Sequence, residues 1–389
     1  MAAISFDPRI NRQMSKNSHG VIIEEIEGLI RVYKDGHIER PPIIPSVPCN
    51  VATVNDVTAK DVVIDKFTNL WARIYVSNRS GTLPLLVYFH GGGFCVARLV
   101  TTTSCIIVSI NYRLAPENRL PAAYDDGVNA FTWLKQQALN GPPEHQWWLS
   151  RCNLSSIFLA AYNVATRLVS SYNPESMTKP LCFKGIILIQ PFFGGEARTL
   201  SEKNMTQPAN SALTLSASDT YWWLSLPPGS NRDHPYCNPL ANGASNDLRL
   251  PPVMVGISEL DVLKDRNSEF CSALTRAGKR VETVTYKGVG HAFQILHNYH
   301  LSHTRVQEMA SHIRAFINQW QKECNRCSRH IIDDHGTFVG ELKQSTSIAS
   351  TDDQLFVRKT SVYMFAICLL RDYTTQISLY KMDLSSRFG

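Results

Sequence analysis

Six short strand-like runs recur along the chain, several of them apolar at nearly every position, and helical patterns lie between several of them. The runs are LPLLVYFH (83–90), SCIIVSINY (104–112), CNLSSIFL (152–159), FKGIILIQ (183–190), VMVGIS (253–258) and VETVTY (281–286). A strand that is apolar at every position, instead of at every second one, has to be covered on both faces. That is the situation of a parallel strand with helices above and below it. The intervening stretches AAYDDGVNAFTWLKQQAL (122–139), DRNSEFCSALTRAGK (265–279) and HLSHTRVQEMASHIRAFINQW (300–320) have helical spacing. Asp125 and Asp126 fall in the first turns of one, Asp265 supplies an N-terminal charge to another, and Gly278 is a stop signal. The expected fold class is therefore α/β: a mostly parallel, twisted sheet flanked by helices.

Ahead of these runs, residues 21–78 read as shorter strands. LIRVYKDGHIER is a hairpin candidate around Asp35-Gly36, and DVVIDKFTNLWARIYV alternates. After Trp320 no periodicity persists. The expected organisation is residues 1–80 as an N-terminal cap with the first strands, 81–321 as the core, and 322–389 as an atypical C-terminal extension. Within that extension CNRC (324–327), with His330 and His335, matches no strong zinc spacing, so no metal site is expected.

The chain has 389 residues, 44% of them hydrophobic, and a formal net charge of +6. That length supports a substantial core. The basic residues form no dense run, so a nucleic-acid partner is not expected. SVYMFAICLL (361–370) is the longest apolar stretch and is too short to cross a bilayer, so no membrane partner is expected either. The first twenty residues lack the apolar segment of a secretory signal, and the 10 cysteines form no framework. Both point to a cytoplasmic, or cytoplasmic and nuclear, location. The Asn-x-Ser/Thr matches at Asn78, Asn153 and Asn204 then carry no weight. Nothing calls for a cofactor.

His90-Gly91-Gly92-Gly93-Phe94 directly follows an apolar strand. Successive glycines at a strand end can present several backbone N–H groups to one ligand atom, as an oxyanion hole requires. A Gly-rich tight turn is the plainer alternative; the preceding histidine and strand favour the oxyanion reading. Asp261 follows VMVGISEL, and His291 follows VETVTY within YKGVGHAF. Sheet topology carries such loops to one edge, where an aspartate could orient a histidine acting as general base.

HGGGF, INYRLAPENRLPAAYDDG, GISELDVLKDRN and YKGVGHAF, in this order, resemble the plant carboxylesterases of the hormone-sensitive-lipase branch of the α/β-hydrolase family, to which the gibberellin receptors are related. The resemblance runs to about Trp320. It implies an eight-stranded sheet, a small N-terminal cap and a serine esterase with Ser, Asp and His in that order. It implies that Gly91, Gly92 and Gly93 form the oxyanion hole, that Asp261 is the acid and His291 the base, and that Tyr112–Glu117 support the site from behind. The implied partner is a small-molecule ester or a hormone-like ligand.

The family places its nucleophile in a G-x-S-x-G elbow between strand and helix. This sequence contains none. Gly256-Ile257-Ser258 comes nearest, but Leu260 stands where a glycine should, and the segment leads into Asp261. In CNLSSIFLAAYNVATRL (152–168) a strand pattern passes into a helix pattern across Ala160-Ala161, where the elbow would stand; such a turn is expected to need a residue that tolerates unusual φ/ψ, and none is there, so the turn itself reads as missing. Ser104, Ser109, Ser155 and Ser156 lie in or beside strands, so no nucleophile is expected. A second deficit follows HGGGFCV, where only ARLVTTT precedes the next strand. Two clean losses beside one pocket point to a splice variant or an imperfect gene model of an esterase. The expected chain is an ester hydrolase by family that lacks its nucleophile, with a non-catalytic, receptor-like binding protein as the alternative.

Overall fold

A computed structural model describes residues 19–41, 57–78, 80–95, 105–170, 180–207, 211–243, 249–296 and 299–327. The runs singled out above are its strands. β1 (Ile22–Ile26), β2 (Ile30–Tyr33) and β3 (Ile38–Glu39) form a small antiparallel sheet. Its Asp35-Gly36 turn puts Gly36 at a φ of 87°. β4 (Val57–Asp65) and β5 (Leu70–Ser77) pair as a hairpin. Then come β6 (Leu83–Phe89), β7 (Ile106–Asn111), β8 (Cys152–Leu159), β9 (Phe183–Ile189), β10 (Val253–Ser258) and β11 (Val281–Tyr286). Strands β4 to β11 form one sheet in the order β11-β10-β9-β8-β6-β7-β5-β4. From β7 to β11 every pairing is parallel. β5 runs antiparallel to both of its neighbours.

The connection from β6 to β7 was expected to be too short for parallel neighbours. The two strands pair nevertheless, because β6 ends at Phe89 and β7 begins at Ile106. Residues 90–105 therefore form the link, within the length a crossover needs. No helix stands among its described residues.

The helices are α1 (Ala122–Asn140), α2 (Gln146–Leu149), α3 (Tyr162–Ser170), α4 (Leu200–Asn204), α5 (Leu215–Ser225), α6 (Lys264–Arg276), α7 (Phe293–Leu296) and α8 (His300–Cys327). The unbroken apolar strands are explained by two cores. Leu85, Val87, Ile106, Val108 and Val255 face Phe131 of α1, Ala165 of α3 and Phe270 of α6. Alternate positions Leu86, Ile107, Phe158 and Met254 face Met309, Ile313 and Phe316 of α8. Each such side chain removed from water contributes about 1.5–3 kcal/mol, so a polar substitution on either face would be costly. α8 runs on to Cys327, so the expected boundary at 321 falls inside a helix. His330 and His335 lie outside the described residues, as do Ser104 and most of the 322–389 extension.

The cap differs from the expected N-terminal one. Ile26, Ile30 and Val32 of the small sheet pack against Leu213, Tyr221 and Leu224, from the segment between β9 and β10. Two stretches distant in sequence thus share one roof, since neither buries its apolar face alone. Arg40 anchors it, donating to the Cys95 and Ala115 carbonyls at 2.7 and 2.8 Å and making two bonds to the Glu117 carboxylate.

Candidate active site

Parallel strands end at one edge of the sheet, and the candidate residues stand there. His90 to Phe94 leave β6, Asp261 follows β10 and His291 follows β11. His291 Nδ1 lies 2.8 Å from Asp261 Oδ2. The aspartate is fully buried, and its other oxygen accepts from the Leu263 N–H at 2.9 Å. Since a carboxylate only accepts, Nδ1 carries the proton, and Nε2 is left to take one from a substrate or nucleophile.

Gly92 and Gly93 have φ values of 121° and 57°. A Cβ at Gly93 would run into the Tyr221 ring, so this position needs glycine for space as well as for backbone freedom. Phe94 also has a positive φ, 62°, and its ring packs on Tyr112, Tyr124 and Trp222. Tyr112–Glu117 support the loop as expected. The Tyr112 hydroxyl donates to the His90 carbonyl at 2.7 Å, and its ring stacks on His90 at 4.2 Å. The Ala115 N–H donates to the Phe94 carbonyl at 2.9 Å. Arg113 is held by the fully buried Asp126.

His90 is 5% exposed. Its Nδ1 donates to the Gly91 carbonyl at 3.0 Å, while Nε2 is buried with no protein partner. Burial pushes its pKa down to about 4. It is therefore a neutral part of the scaffold at physiological pH.

Between the Asp261–His291 pair and the glycine loop, at the end of β8, stand Ala160 and Ala161. A missing turn was expected here, but two ordinary residues suffice. The Ala160 N–H still pairs with the Val87 carbonyl at 2.9 Å, and the Ala161 carbonyl accepts the first helical bond of α3 at 3.1 Å. Neither alanine adopts a positive φ. Strand passes into helix within two peptides, without the strained residue that would lift a side chain into the pocket. The serines offer no substitute. Ser109 and Ser156 are buried within strands, and Ser155 is exposed in the first half of β8, away from its pocket end. Ser258 is fully buried and accepts a bond from Gln190.

A cavity of about 280 Å³ joins these groups. His90–Phe94, Ala160-Ala161 and His291 line it together with Leu86, Ile187 and Met309. Its walls thus draw on both cores, which the sheet separates elsewhere. Among the described residues no cluster of His, Cys, Asp and Glu could hold a metal ion, and no helix is long and apolar enough to cross a membrane.

Gln190 was not anticipated. It directly follows β9 at a φ of 48° and touches the backbone on both sides of His291. A non-glycine residue there costs of order 1–3 kcal/mol and persists only where its surroundings enforce it. The only trace in the sequence is a polar residue closing an apolar strand.

A family model described as alpha/beta hydrolase fold matches residues 86–295. "Probable carboxylesterase 6" of Arabidopsis thaliana is 44% identical over 331 residues, covering 79% of this chain and 94% of that protein. The "Gibberellin receptor GID1C" of the same plant is 31% identical over 300 residues, covering 69% and 84%. Among solved structures, an esterase of Pyrobaculum calidifontis superposes with a TM-score of 0.54 at 24% identity, covering 69% of this chain and 86% of that one. At that identity the likeness speaks for the fold alone.

Proposed function

The chain belongs to the α/β-hydrolase family, on its plant carboxylesterase branch, and from that premise we propose that it binds small carboxylic esters without turning them over through an acyl-enzyme. In a competent esterase of this kind a serine hydroxyl attacks the ester carbonyl. The histidine takes its proton, the aspartate holds the imidazole, and glycine N–H groups receive the oxyanion. Here Asp261 and His291 are assigned as acid and base, and Gly91, Gly92 and Gly93 as oxyanion donors. The observation that carries the reading is Ala160-Ala161 between β8 and α3: these residues line one cavity with His291 and the glycine loop and offer no hydroxyl. Losing a triad serine costs about six orders of magnitude in turnover.

The test is a chromogenic short-chain acyl ester, offered to the native chain and to one carrying Gly-Asp-Ser-Ala-Gly in place of Ala160-Ala161. The expected result is turnover in the restored chain alone, at least about 10⁵-fold above the native one. Native turnover abolished by His291→Ala would overturn the proposal.

A receptor-like binding role is the second reading. It is favoured by a cavity that persists at the strand ends and by the gibberellin receptor among the relatives. Calorimetric titration with a gibberellin and with a non-hydrolysable ester analogue separates the two, since only the receptor reading expects the gibberellin to bind.

A further inference from the structure

Gln190 is buried at the end of β9, between the strand that carries Ala160 and the strand that leads to Asp261. Its amide nitrogen donates to the Gly290 carbonyl at 3.0 Å and to the Ser258 hydroxyl oxygen. Its amide oxygen accepts from the Ala292 N–H at 2.8 Å. A carbonyl can only accept and an N–H can only donate, so these two partners fix which end of the amide is which. One side chain therefore grips the backbone immediately before and immediately after His291. Gln190 is itself pinned, since its N–H donates to the Gly256 carbonyl of β10 at 2.8 Å.

A buried amide needs partners wherever it lies, and satisfying them is the plain structural role. Two features go beyond it. The partners flank one residue symmetrically, so together they set the direction in which that residue leaves the backbone. The backbone at both ends of the Gln190–Ala292 bond is left-handed, with φ values of 48° and 54°. Non-glycine residues hold such a conformation only where their surroundings dictate it. The bond from His291 to Asp261 orients the imidazole ring about its own torsions; it does not hold the loop that carries the ring.

We propose that Gln190 is the positioning residue for His291, clamping its loop to the sheet edge so that the imidazole meets Asp261 whether or not a nucleophile is present. The proposal rests on reading His291 as the base of this site. Its test, however, follows the imidazole and not ester turnover, so the two can fail separately.

The experiment uses the full chain labelled with ¹⁵N-histidine, observing the low-field proton shared by His291 Nδ1 and Asp261; the signal is assigned by its loss in His291→Ala. Gln190→Met keeps the length of the side chain and removes all its bonds. Gln190→Asn keeps the amide and shortens its reach. In both, exchange of this proton with water should quicken at least tenfold or the signal should vanish, while the remaining amide spectrum stays dispersed. Ser258→Ala removes only the side-chain partner that does not belong to the His291 loop and should leave exchange within about threefold of the native rate. If Gln190→Met does not fold, Gln190→Asn decides. Native exchange in a folded Gln190 variant overturns the proposal. So does Ser258→Ala exchange as fast as that of the Gln190 variants, since the effect would then be general loosening.

Discussion

Acid should destabilise this protein through His90 in particular, and the size of the effect follows from its surroundings. An exposed histidine takes a proton near pH 6.5, whereas burial holds His90 down to about 4. The folded state disfavours the proton because Nε2 is enclosed, without a protein group to accept the new N–H. The folded pKa is thus below the unfolded one, so the contribution is fully present above pH 6.5 and is lost as pH falls towards 4. Across that window the unfolded chain binds up to one proton more at this site. At about 1.4 kcal/mol per pH unit the loss approaches 3 kcal/mol by pH 4. That is a large part of a typical domain stability of about 5–15 kcal/mol. The assay is urea unfolding at half-unit steps from pH 7 to 4, on the native chain and on His90→Asn, whose amide can still donate to the Gly91 carbonyl. Other titrating groups cancel in the difference. The native chain should lose about 2–3 kcal/mol more than the variant on acidification. Parallel pH curves, agreeing within about 1 kcal/mol, would refute the reasoning.

Two further substitutions test the scaffold around the site. Asp126→Ala leaves the Arg113 guanidinium and backbone N–H without their buried acceptor and should cost about 3 kcal/mol in chemical denaturation; a loss below about 1 kcal/mol would mean that water replaces the carboxylate. Gly93→Ala sets a Cβ against Tyr221 at a φ of 57°; strain and overpacking together should cost about 2–4 kcal/mol in the same assay, and native-like stability would show that the cap yields.

How much could be read without coordinates varies by element. Every one of the six apolar runs became a strand, and VMVGIS and VETVTY did so to the residue. The three long helical stretches also formed, because burial on one face leaves its period in any short window. The Asp261–His291 pair was foreseeable as two residue types following two strands, but its 2.8 Å bond was not. α4 and α5 passed unnoticed. α4 is short, though Thr199 and Glu202 form a capping box at its start. α5 is apolar around much of its circumference, with Tyr221, Trp222 and Leu224 all buried, so no amphipathic stripe announces it. The junction at Ala160-Ala161 was misjudged in one respect. A turn seemed to need a left-handed residue, and strand-edge pairing with Val87 lets two alanines do without one.

The sequence by itself determined which segments are strands and helices, that both faces of the sheet are covered, that an aspartate, a histidine and a glycine triplet follow separate strands, and that no elbow serine lies between Leu159 and Tyr162. All of these are encoded within a few residues of chain, through hydrophobic period, turn chemistry or plain identity. Only the tertiary structure decided that β9 lies between β8 and β10, that Gln190 therefore reaches both sides of His291, a hundred residues later, and that a segment before β10 completes the cap begun by β1 to β3. Those contacts depend on strand order and on packing between distant faces, which no local window of sequence contains.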